Sequence, residues 1–314
     1  MADKIEFLVI ENGLDFVLAA VEHLSGNPTA RDLKYAVLDL SAGLELLLKA
    51  RLQRQHWSLV FQDISKANEK AFKSGDFYSV GWKTCIERLE KNCGVKISKR
   101  NRNLIENLRK RRNMLEHFGA VDSAIAIKAS TAKVLSFIVD FTISQFDSEH
   151  FSEKEDTLLN QIRRKLGEFE HFVGERMKAI QKELDNAETV IVECPRCVQP
   201  TMIIDDGGMC KFCGYSAGGD DAAGEYVHSL FGLGWHHVAD GGEIPIYRCP
   251  ECWMESLVDI GNLTQELQND RFVCFSCANT WGWGTLSFCG NCGNPFLKDR
   301  DGLLVCNDCF DQSS

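Results

Sequence analysis

The distribution of apolar residues divides the chain into two parts near residue 190. Before that point, apolar residues recur at intervals of three and four, which is typical of amphipathic helices, and Pro28 is the single proline. After it come the other five prolines, most of the glycines and short apolar runs, which indicate strands joined by turns. The chain is therefore predicted to be mainly α in its first part and built of small β units in its last part.

The first part is predicted to be an α-helical bundle over residues 1–150, with enough aliphatic side chains to form its own core. Its helices are predicted at residues 5–24, 32–55, 101–117 and 124–146, with shorter helices or irregular segments over 58–73 and 78–92. The run Ser25-Gly26-Asn27-Pro28 stops the first helix, and Thr29 with Asp32 resembles a capping box that starts the second. The second helix carries core-spaced leucines and is expected to be central.

Residues 151–188 are predicted to form a connecting helix, with the helical pattern running over 152–186. A helix of this length spans about 50 Å. Gly167 and Gly174 weaken the case for a regular coiled coil. We interpret the segment as a stalk or a dimer arm, in preference to a disordered linker.

Residues 189–314 contain six Cys-x-x-Cys pairs. Two thiolates spaced in this way can reach one tetrahedral ion from a single tight turn, and two such turns complete a four-sulfur shell of the kind that structural Zn²⁺ prefers. Taken in order, the pairs predict three zinc ribbons with four cysteine ligands each. We call each Cys-x-x-Cys turn a knuckle. The two knuckles of a ribbon are separated by 12, 21 and 13 residues in the first, second and third ribbon. The twelve predicted ligands are Cys194, Cys197, Cys210, Cys213, Cys249, Cys252, Cys274, Cys277, Cys289, Cys292, Cys306 and Cys309.

Disulfides and redox dithiols are the alternatives for these cysteines. The N-terminus lacks the basic region of a secretory signal, so a reducing, cytoplasmic location is expected, which disfavours disulfides. A redox Cys-x-x-Cys pair occurs singly, at the start of a helix after a strand, whereas six pairs repeat here. The pairing order stays open, because Cys274/Cys277 could join Cys289/Cys292 and leave the outer two pairs to each other. Three histidines lie between the cysteine pairs and are expected to be packing or surface residues: His228, His236 and His237. The two cysteines outside the pairs, Cys85 and Cys93, are expected to be buried thiols.

Charge follows the same division. Residues 190–314 hold 17 Asp and Glu against 6 Lys and Arg, whereas residues 1–189 hold 28 against 29. Phosphate contacts dominate nucleic-acid affinity, so ribbons of this sign are poor candidates for gripping RNA or DNA. Their acidity fits either simple solubility or the docking of a protein partner. No apolar run approaches the length of a membrane span.

The strongest candidate for catalysis is the set Arg112, Asn113 and His117, late in a predicted helix. Arginine suits the charge of a phosphodiester, histidine can move a proton at neutral pH, and asparagine can orient either group. Such a set can cleave RNA without a metal ion. A basic run precedes and overlaps it and is the predicted RNA-binding surface: Lys96, Lys99, Arg100, Arg102, Arg109, Lys110 and Arg111. The plainer interpretation is a solvated basic helix face, with a histidine that complements the negative end of the helix dipole.

Over residues 5–146 the helical part resembles the HEPN superfamily of prokaryotic and CRISPR-associated ribonucleases. The resemblance is carried by the long second helix around Ala36–Ala50 and by the Arg-Asn-x3-His motif of Arg112, Asn113 and His117. It implies a homodimer whose two motifs line one cleft, and metal-free RNA cleavage that leaves a 2′,3′-cyclic phosphate. Arg112 and His117 would then be catalytic, and Asn113 would support them.

One position departs from a subset of that family, which carries tyrosine two residues after the histidine; here it is Gly119. Silencing by modification of that tyrosine is therefore not expected. Glu45 is expected either to add a polar group to the cleft or to lie on the bundle surface. The preferred hypothesis is a homodimeric endoribonuclease in a toxin or anti-phage defence role, with ribbons for sensing, regulation or assembly. The alternative is a non-catalytic zinc-ribbon adaptor, whose bundle dimerises and whose acidic ribbons bind a protein partner.

Overall fold

The computed structural model describes residues 8–118, 123–146, 151–239, 241–261, 271–282, 284–297, 305–306 and 309–310. The described chain is mainly helical, with small antiparallel sheets toward the C-terminus. Its internal contacts define two compact units, Met1–Val173 and Gly174–Ser314. The division falls inside the long helix, so each half of that helix belongs to the core of a different unit.

Two helices form the centre of the first unit, α1 (Val9–His23) and α2 (Ala30–Gln55). The predicted capping box is present, because the Thr29 side chain accepts from the Asp32 N–H while the Asp32 carboxylate accepts from the Thr29 N–H at 2.9 Å. The helices cross closely at Gly13 and Gly43, where a Cβ on Gly43 would lie 2.7 Å from the Gly13 carbonyl oxygen. The glycines thus allow the backbones to approach.

The segment after α2 contains only short helices and irregular stretches, as the sequence predicts for residues 58–73 and 78–92. It consists of 3-10 turns at Trp57–Val60 and Ile64–Lys66, then α3 (Glu69–Ser74) and α4 (Trp82–Cys93). The Arg88 guanidinium on α4 holds this segment by donating to the carbonyls of Leu59, at 2.7 Å, and Gln62, at 3.0 Å. Backbone carbonyls that no helix satisfies are thereby paired.

Two further helices complete the bundle, α5 (Lys99–His117) and α6 (Ala124–Gln145). Ser98 caps α5 and Ser123 caps α6 through their side-chain oxygens. Helix α6 is buried over much of its surface, whereas α5 buries only a narrow stripe at Leu104, Ile105 and Leu108. The rest of α5 therefore stays available to solvent.

The predicted connecting helix is α7 (Glu153–Asp185). Its first part buries Leu158, Leu159 and Ile162 in the first unit, and its last turns bury Ile180 and Leu184 in the second. Gly167 and Gly174 lie within it, and nothing packs within 4 Å of a Cβ placed on either. A continuous helix therefore tolerates both glycines at solvent-facing positions.

Among the described residues of the second unit there are three small antiparallel sheets. The first has the order β1 (Ile191–Glu193), β2 (Pro200–Ile204), β3 (Gly208–Cys210) and β4 (Ser216–Ala217). The second has the order β5 (Ile246–Tyr247), β6 (Leu257–Asp259), β7 (Phe272–Cys274) and β8 (Thr280–Trp281). The third pairs β9 (Leu286–Phe288) with β10 (Pro295–Leu297). The small β units expected of this part of the chain are present.

Two helices that the sequence analysis did not anticipate lie between the first and second sheets, α8 (Gly219–Leu230) and α9 (Trp235–Ala239). Helix α8 buries Tyr226 completely, with its ring 5.1 Å from the ring of Phe275 in the second sheet region. At its start, a Cβ on Gly219 would lie 2.8 Å from the Cα of Ser276. Helix α8 therefore packs the first two metal-ligand regions against each other.

Candidate functional site

The candidate catalytic residues lie in the last two turns of α5. The helix ends at His117, where the Phe118 N–H still bonds to the Met114 carbonyl at 3.0 Å. The buried stripe of α5 ends at Leu108, so the following turns carry their polar side chains in partly or largely exposed positions. The local sequence thus places Arg112, Asn113 and His117 at the accessible end of one helix.

A carboxylate joins these residues. The Arg112 guanidinium lies 3.0 Å from Glu116 Oε2, and the His117 Nε2 atom lies 3.7 Å from the same oxygen. Arg112 also donates to Asn113 Oδ1 at 3.2 Å. The side chains of Arg112 and His117 are 40% and 65% exposed, so both can meet a ligand from solvent. Glu116 is one of the unspecified positions of the Arg-Asn-x3-His motif, and its contact with both candidates is not predictable from that motif.

An aromatic side chain borders the set. Phe118 is 84% exposed, and its ring centroid lies 6.5 Å from that of His117 in an edge-to-face arrangement. Met114, one turn earlier, is 42% exposed. Gly119, the position at which the subset of HEPN toxins has tyrosine, lies outside the described residues.

The residues of the basic run differ in exposure and in their protein contacts. Lys96, just before α5, and Lys99 and Arg100, in its first turn, are exposed. Arg102 contacts Glu90 and the Ile97 carbonyl, Arg109 contacts Glu106, and Arg111 contacts Ser130 of α6 at 2.8 Å. Several of the predicted RNA-binding residues therefore also stabilise the bundle.

Two of these cations have shifted pKa values. Hydrogen bonding to Glu106 raises the pKa of Arg109, and burial lowers the pKa of Lys110. Arg109 is thus firmly charged, while Lys110 is partly withdrawn from solvent. Glu45, the other polar candidate, pairs with Lys49, whose ammonium group also bonds to Ser79 Oγ at 2.8 Å.

The twelve predicted metal ligands form three groups of four in sequence order. The groups are Cys194/Cys197/Cys210/Cys213, Cys249/Cys252/Cys274/Cys277 and Cys289/Cys292/Cys306/Cys309, each with sulfur atoms within 4.8 Å of one another. This order answers the question that spacing left open. Each group could hold one metal ion, and all of its ligand atoms are cysteine sulfurs.

Sulfur spacing tests whether an ion fits. Sulfur pairs across the first centre are 3.8 and 3.6 Å apart, across the second 3.7 and 3.6 Å, and one pair in the third is 3.8 Å apart. A tetrahedron with metal–sulfur bonds of about 2.3 Å has edges of about 3.8 Å, whereas a disulfide bond is about 2.05 Å long. The described geometry therefore matches a four-thiolate ion cage.

The turns that carry the cysteines repeat one local structure. In the first knuckle the Val198 N–H bonds to the Cys194 carbonyl at 2.9 Å, and Val198 has a φ of 58°. The residue after the second cysteine is also left-handed in four other knuckles: Gly214, Trp253, Ala278 and Gly293. Within the first knuckle, the Arg196 N–H also donates to Cys194 Sγ at 3.4 Å, a backbone contact of the kind that orients a metal ligand.

The centres differ in their surroundings. All four cysteines of the first are buried, while Cys292 of the third is exposed. Hydroxyl groups reach a sulfur in the first two, with Thr201 Oγ1 3.2 Å from Cys210 Sγ and Ser256 Oγ 3.4 Å from Cys274 Sγ. The first centre is thus the most enclosed and the third the most open to solvent.

The remaining thiols and histidines take structural positions. Burial raises the pKa of Cys85 to about 12, so its thiol is neutral at physiological pH, and Cys93 is half-buried. His237 Nε2 lies 3.1 Å from the Glu243 carbonyl oxygen. The imidazole of His228 packs against Gly234, where an added Cβ would lie 2.9 Å from His228 Nδ1. The side chain of His236 lies outside the described residues.

An open cleft in the second unit was not foreseen from the sequence. It has a volume of about 520 Å³ and is lined by Asp206, Asp220, Asp221, Cys252, Met254 and Ser276, together with Gly218 and Gly219. It lies where the start of α8 meets the second metal centre. The signal that could have located it is Gly-Gly-Asp-Asp before an apolar run with helical spacing, which marks an acidic helix start.

Among the helices of the described chain, none combines the length and the apolar character that crossing a membrane requires. Comparison with known proteins found no matching family model, no matching curated protein and no matching solved structure.

Proposed function

We propose that the protein is a metal-independent endoribonuclease of the HEPN type that acts as a homodimer. The observation that carries the proposal is the exposed set at the end of α5, where Arg112 contacts Asn113 and shares Glu116 with His117. The resemblance of residues 5–146 to that superfamily supplies the reaction and the pairing of two bundles around one cleft. A toxin or anti-phage defence role is the setting that such a resemblance favours.

The proposed reaction is transfer within the RNA chain. The 2′-oxygen of a ribose forms a bond to the adjacent phosphorus, the bond from phosphorus to the 5′-oxygen breaks, and a 2′,3′-cyclic phosphate remains. The Arg112 guanidinium suits the charge that builds up on the phosphoryl oxygens, and His117 suits transfer of the proton of the 2′-hydroxyl or of the leaving oxygen. Asn113 would orient the guanidinium. These three side chains supply the chemistry of the proposed reaction without a metal ion.

We further infer that the three cysteine centres hold structural Zn²⁺. Four thiolates in a tetrahedral cage are the ligand set that structural zinc prefers, and the sulfur spacings above agree with it. The ions would link knuckles that the short strands alone could not hold together. In the proposed enzyme, the ribbons serve sensing, regulation or assembly.

The direct test compares cleavage rates of full-length variants in buffer without added divalent cations. His117→Ala is expected to lower the rate at least about a hundredfold, because a general acid–base group contributes that much or more. His171→Ala is the matched control, because His171 is an exposed histidine within α7 and should leave the rate unchanged. Equal rates for the parent protein and His117→Ala would end the proposal.

A non-catalytic adaptor is the second candidate function. The observation that favours it is the open cleft of the second unit, whose ionisable lining includes Asp206, Asp220 and Asp221. Such a cleft suits a basic segment of a protein partner. This candidate gains support if RNA stays intact while Asp220→Asn together with Asp221→Asn abolishes the capture of a defined Lys/Arg-rich peptide.

A further inference from the structure

Arg112 already holds an anion. Its guanidinium lies 3.0 Å from the Glu116 carboxylate, one turn later on the same helix, and the two side chains are 40% and 30% exposed. Guanidinium groups bind carboxylates and phosphates with the same planar, forked geometry. A phosphate that approaches Arg112 from solvent would therefore find its position on the guanidinium occupied by the Glu116 carboxylate.

The neighbouring ion pair on α5 differs in one respect. Arg109 pairs with Glu106 through two contacts, at 3.0 and 2.6 Å, on the preceding turns of the helix. Of these two carboxylates, Glu116 is the one that lies beside the candidate histidine, with its Oε2 atom 3.7 Å from His117 Nε2. An anion that replaced the Glu116 carboxylate would thus lie within reach of both Arg112 and His117.

We propose that Glu116 occupies the position on Arg112 that a phosphate of RNA takes, so that carboxylate and phosphate compete for one guanidinium. This inference rests on the proposed function and adds a residue that sets the RNA affinity of the same site. Glu116 weakens RNA binding by holding the guanidinium that the phosphate would otherwise contact. Two charges about 4 Å apart in an aqueous setting interact by about 1 kcal/mol. Removing the competitor should therefore tighten binding about fivefold.

The test measures binding of a 2′-O-methyl RNA oligonucleotide, which lacks the free 2′-hydroxyl and cannot be cut by the proposed reaction. Glu116→Gln keeps the shape of the side chain and removes its charge, and we expect it to bind about fivefold more tightly than the parent protein. Glu116→Ala should show the same gain. Glu168→Gln is the control, since it removes one charge from an ion pair with Lys165 on α7, outside the predicted RNA-binding surface, and should change the affinity little.

A second arm assigns the gain to Arg112. In an Arg112→Ala background, Glu116→Gln should no longer tighten binding, because the guanidinium for which the groups compete is absent. The inference is overturned if Glu116→Gln binds no tighter than the parent protein, if Glu168→Gln gains as much, if the gain survives in Arg112→Ala, or if none of these proteins binds the oligonucleotide. Because the probe is not cut, these outcomes remain distinct from a failure of RNA cleavage.

Discussion

The residue after the second cysteine adopts a left-handed backbone conformation in five knuckles of the described chain. Glycine occupies this position in two of them, and a residue with a Cβ occupies it in the other three. Gly214 and Gly293 adopt this conformation without strain, whereas Val198, Trp253 and Ala278 carry a Cβ at φ values of 58°, 65° and 58°. The left-handed conformation costs a residue with a Cβ about 1–2 kcal/mol. The metal centre and its hydrogen bonds must therefore hold these three residues in an unfavourable conformation.

A reciprocal pair of substitutions tests this constraint. Gly214→Ala is expected to lower the free energy of unfolding by about 1 kcal/mol. Nothing lies within 4 Å of the added Cβ, so the cost is purely conformational. Ala278→Gly is expected to raise stability by about 0.5–1 kcal/mol at the equivalent turn. Urea unfolding of the metal-loaded protein measures both values, and a shift of the same sign in the two variants would contradict this explanation.

At the residue scale, the sequence supplied the candidate groups but not all of their contacts. The sequence placed Arg112, Asn113 and His117 late in one predicted helix, and α5 contains all three. The role of Glu116 was not predictable from spacing, because it depends on which rotamer each side chain adopts. Likewise, Arg109 and Arg111 looked like free cations in the sequence, although Glu106 and Ser130 bind them.

Among the elements, the α1–α2 crossing depends most clearly on one residue. A Cβ on Gly43 would lie 2.6 Å from Val17 Cγ2 and 2.7 Å from the Gly13 carbonyl oxygen. Because one of these two neighbours is a backbone atom, rotation of a side chain alone cannot relieve the clash. The two helices would have to move apart, and the apolar contacts around Leu14, Leu44 and Leu47 would loosen with them.

Gly43→Ala is therefore expected to destabilise the bundle by about 1–3 kcal/mol, despite the better helix propensity of alanine. Gly167→Ala is the matched control within α7, where the added methyl group meets no neighbour within 4 Å. The control should gain up to about 1 kcal/mol from propensity alone. Thermal unfolding followed by helical circular dichroism compares them, and stabilisation in both variants would refute the close crossing.

The sequence predicted those elements whose signals are local. The capping box of Thr29 and Asp32 is readable within a few residues, so α2 begins near its predicted position. Helix α8 was missed because its apolar face is short and lies between two knuckles in a glycine-rich region. The order of the last four knuckles depends on three-dimensional closure, since loops of 11, 13 or 21 residues can each return one knuckle to another.

At the scale of the whole molecule, the three metal centres form a graded series in the burial of their cysteines, and these cysteines lie in a different unit from the bundle core. The first centre is fully buried, the second is partly buried, and the third has an exposed cysteine. An enclosed ion is protected from competing ligands, and hydroxyl groups near the sulfurs of the first two centres add hydrogen bonds. The bundle has its own buried core in Met1–Val173.

Chelation should therefore remove ions in a set order. On titration with a zinc chelator in the presence of a thiol-labelling reagent, Cys292 and Cys306 should be labelled first, and Cys194 and Cys197 last. The circular dichroism of the bundle helices should persist through the first release, because the bundle core includes none of these ligands. Mass spectrometry of labelled peptides gives the order; simultaneous labelling of the first and third centres would contradict the graded series.

The central claim concerns the chemistry at the end of α5, and the new 3′ end of a cleaved RNA tests it most directly. The measurement is the mass of the 5′ fragment that the full-length protein releases in buffer without added divalent cations. Attack by the 2′-oxygen predicts a fragment that ends in a 2′,3′-cyclic phosphate, absent with His117→Ala. A fragment that ends in a 3′-hydroxyl group, or the same cyclic product from His117→Ala at the parental rate, would contradict the account.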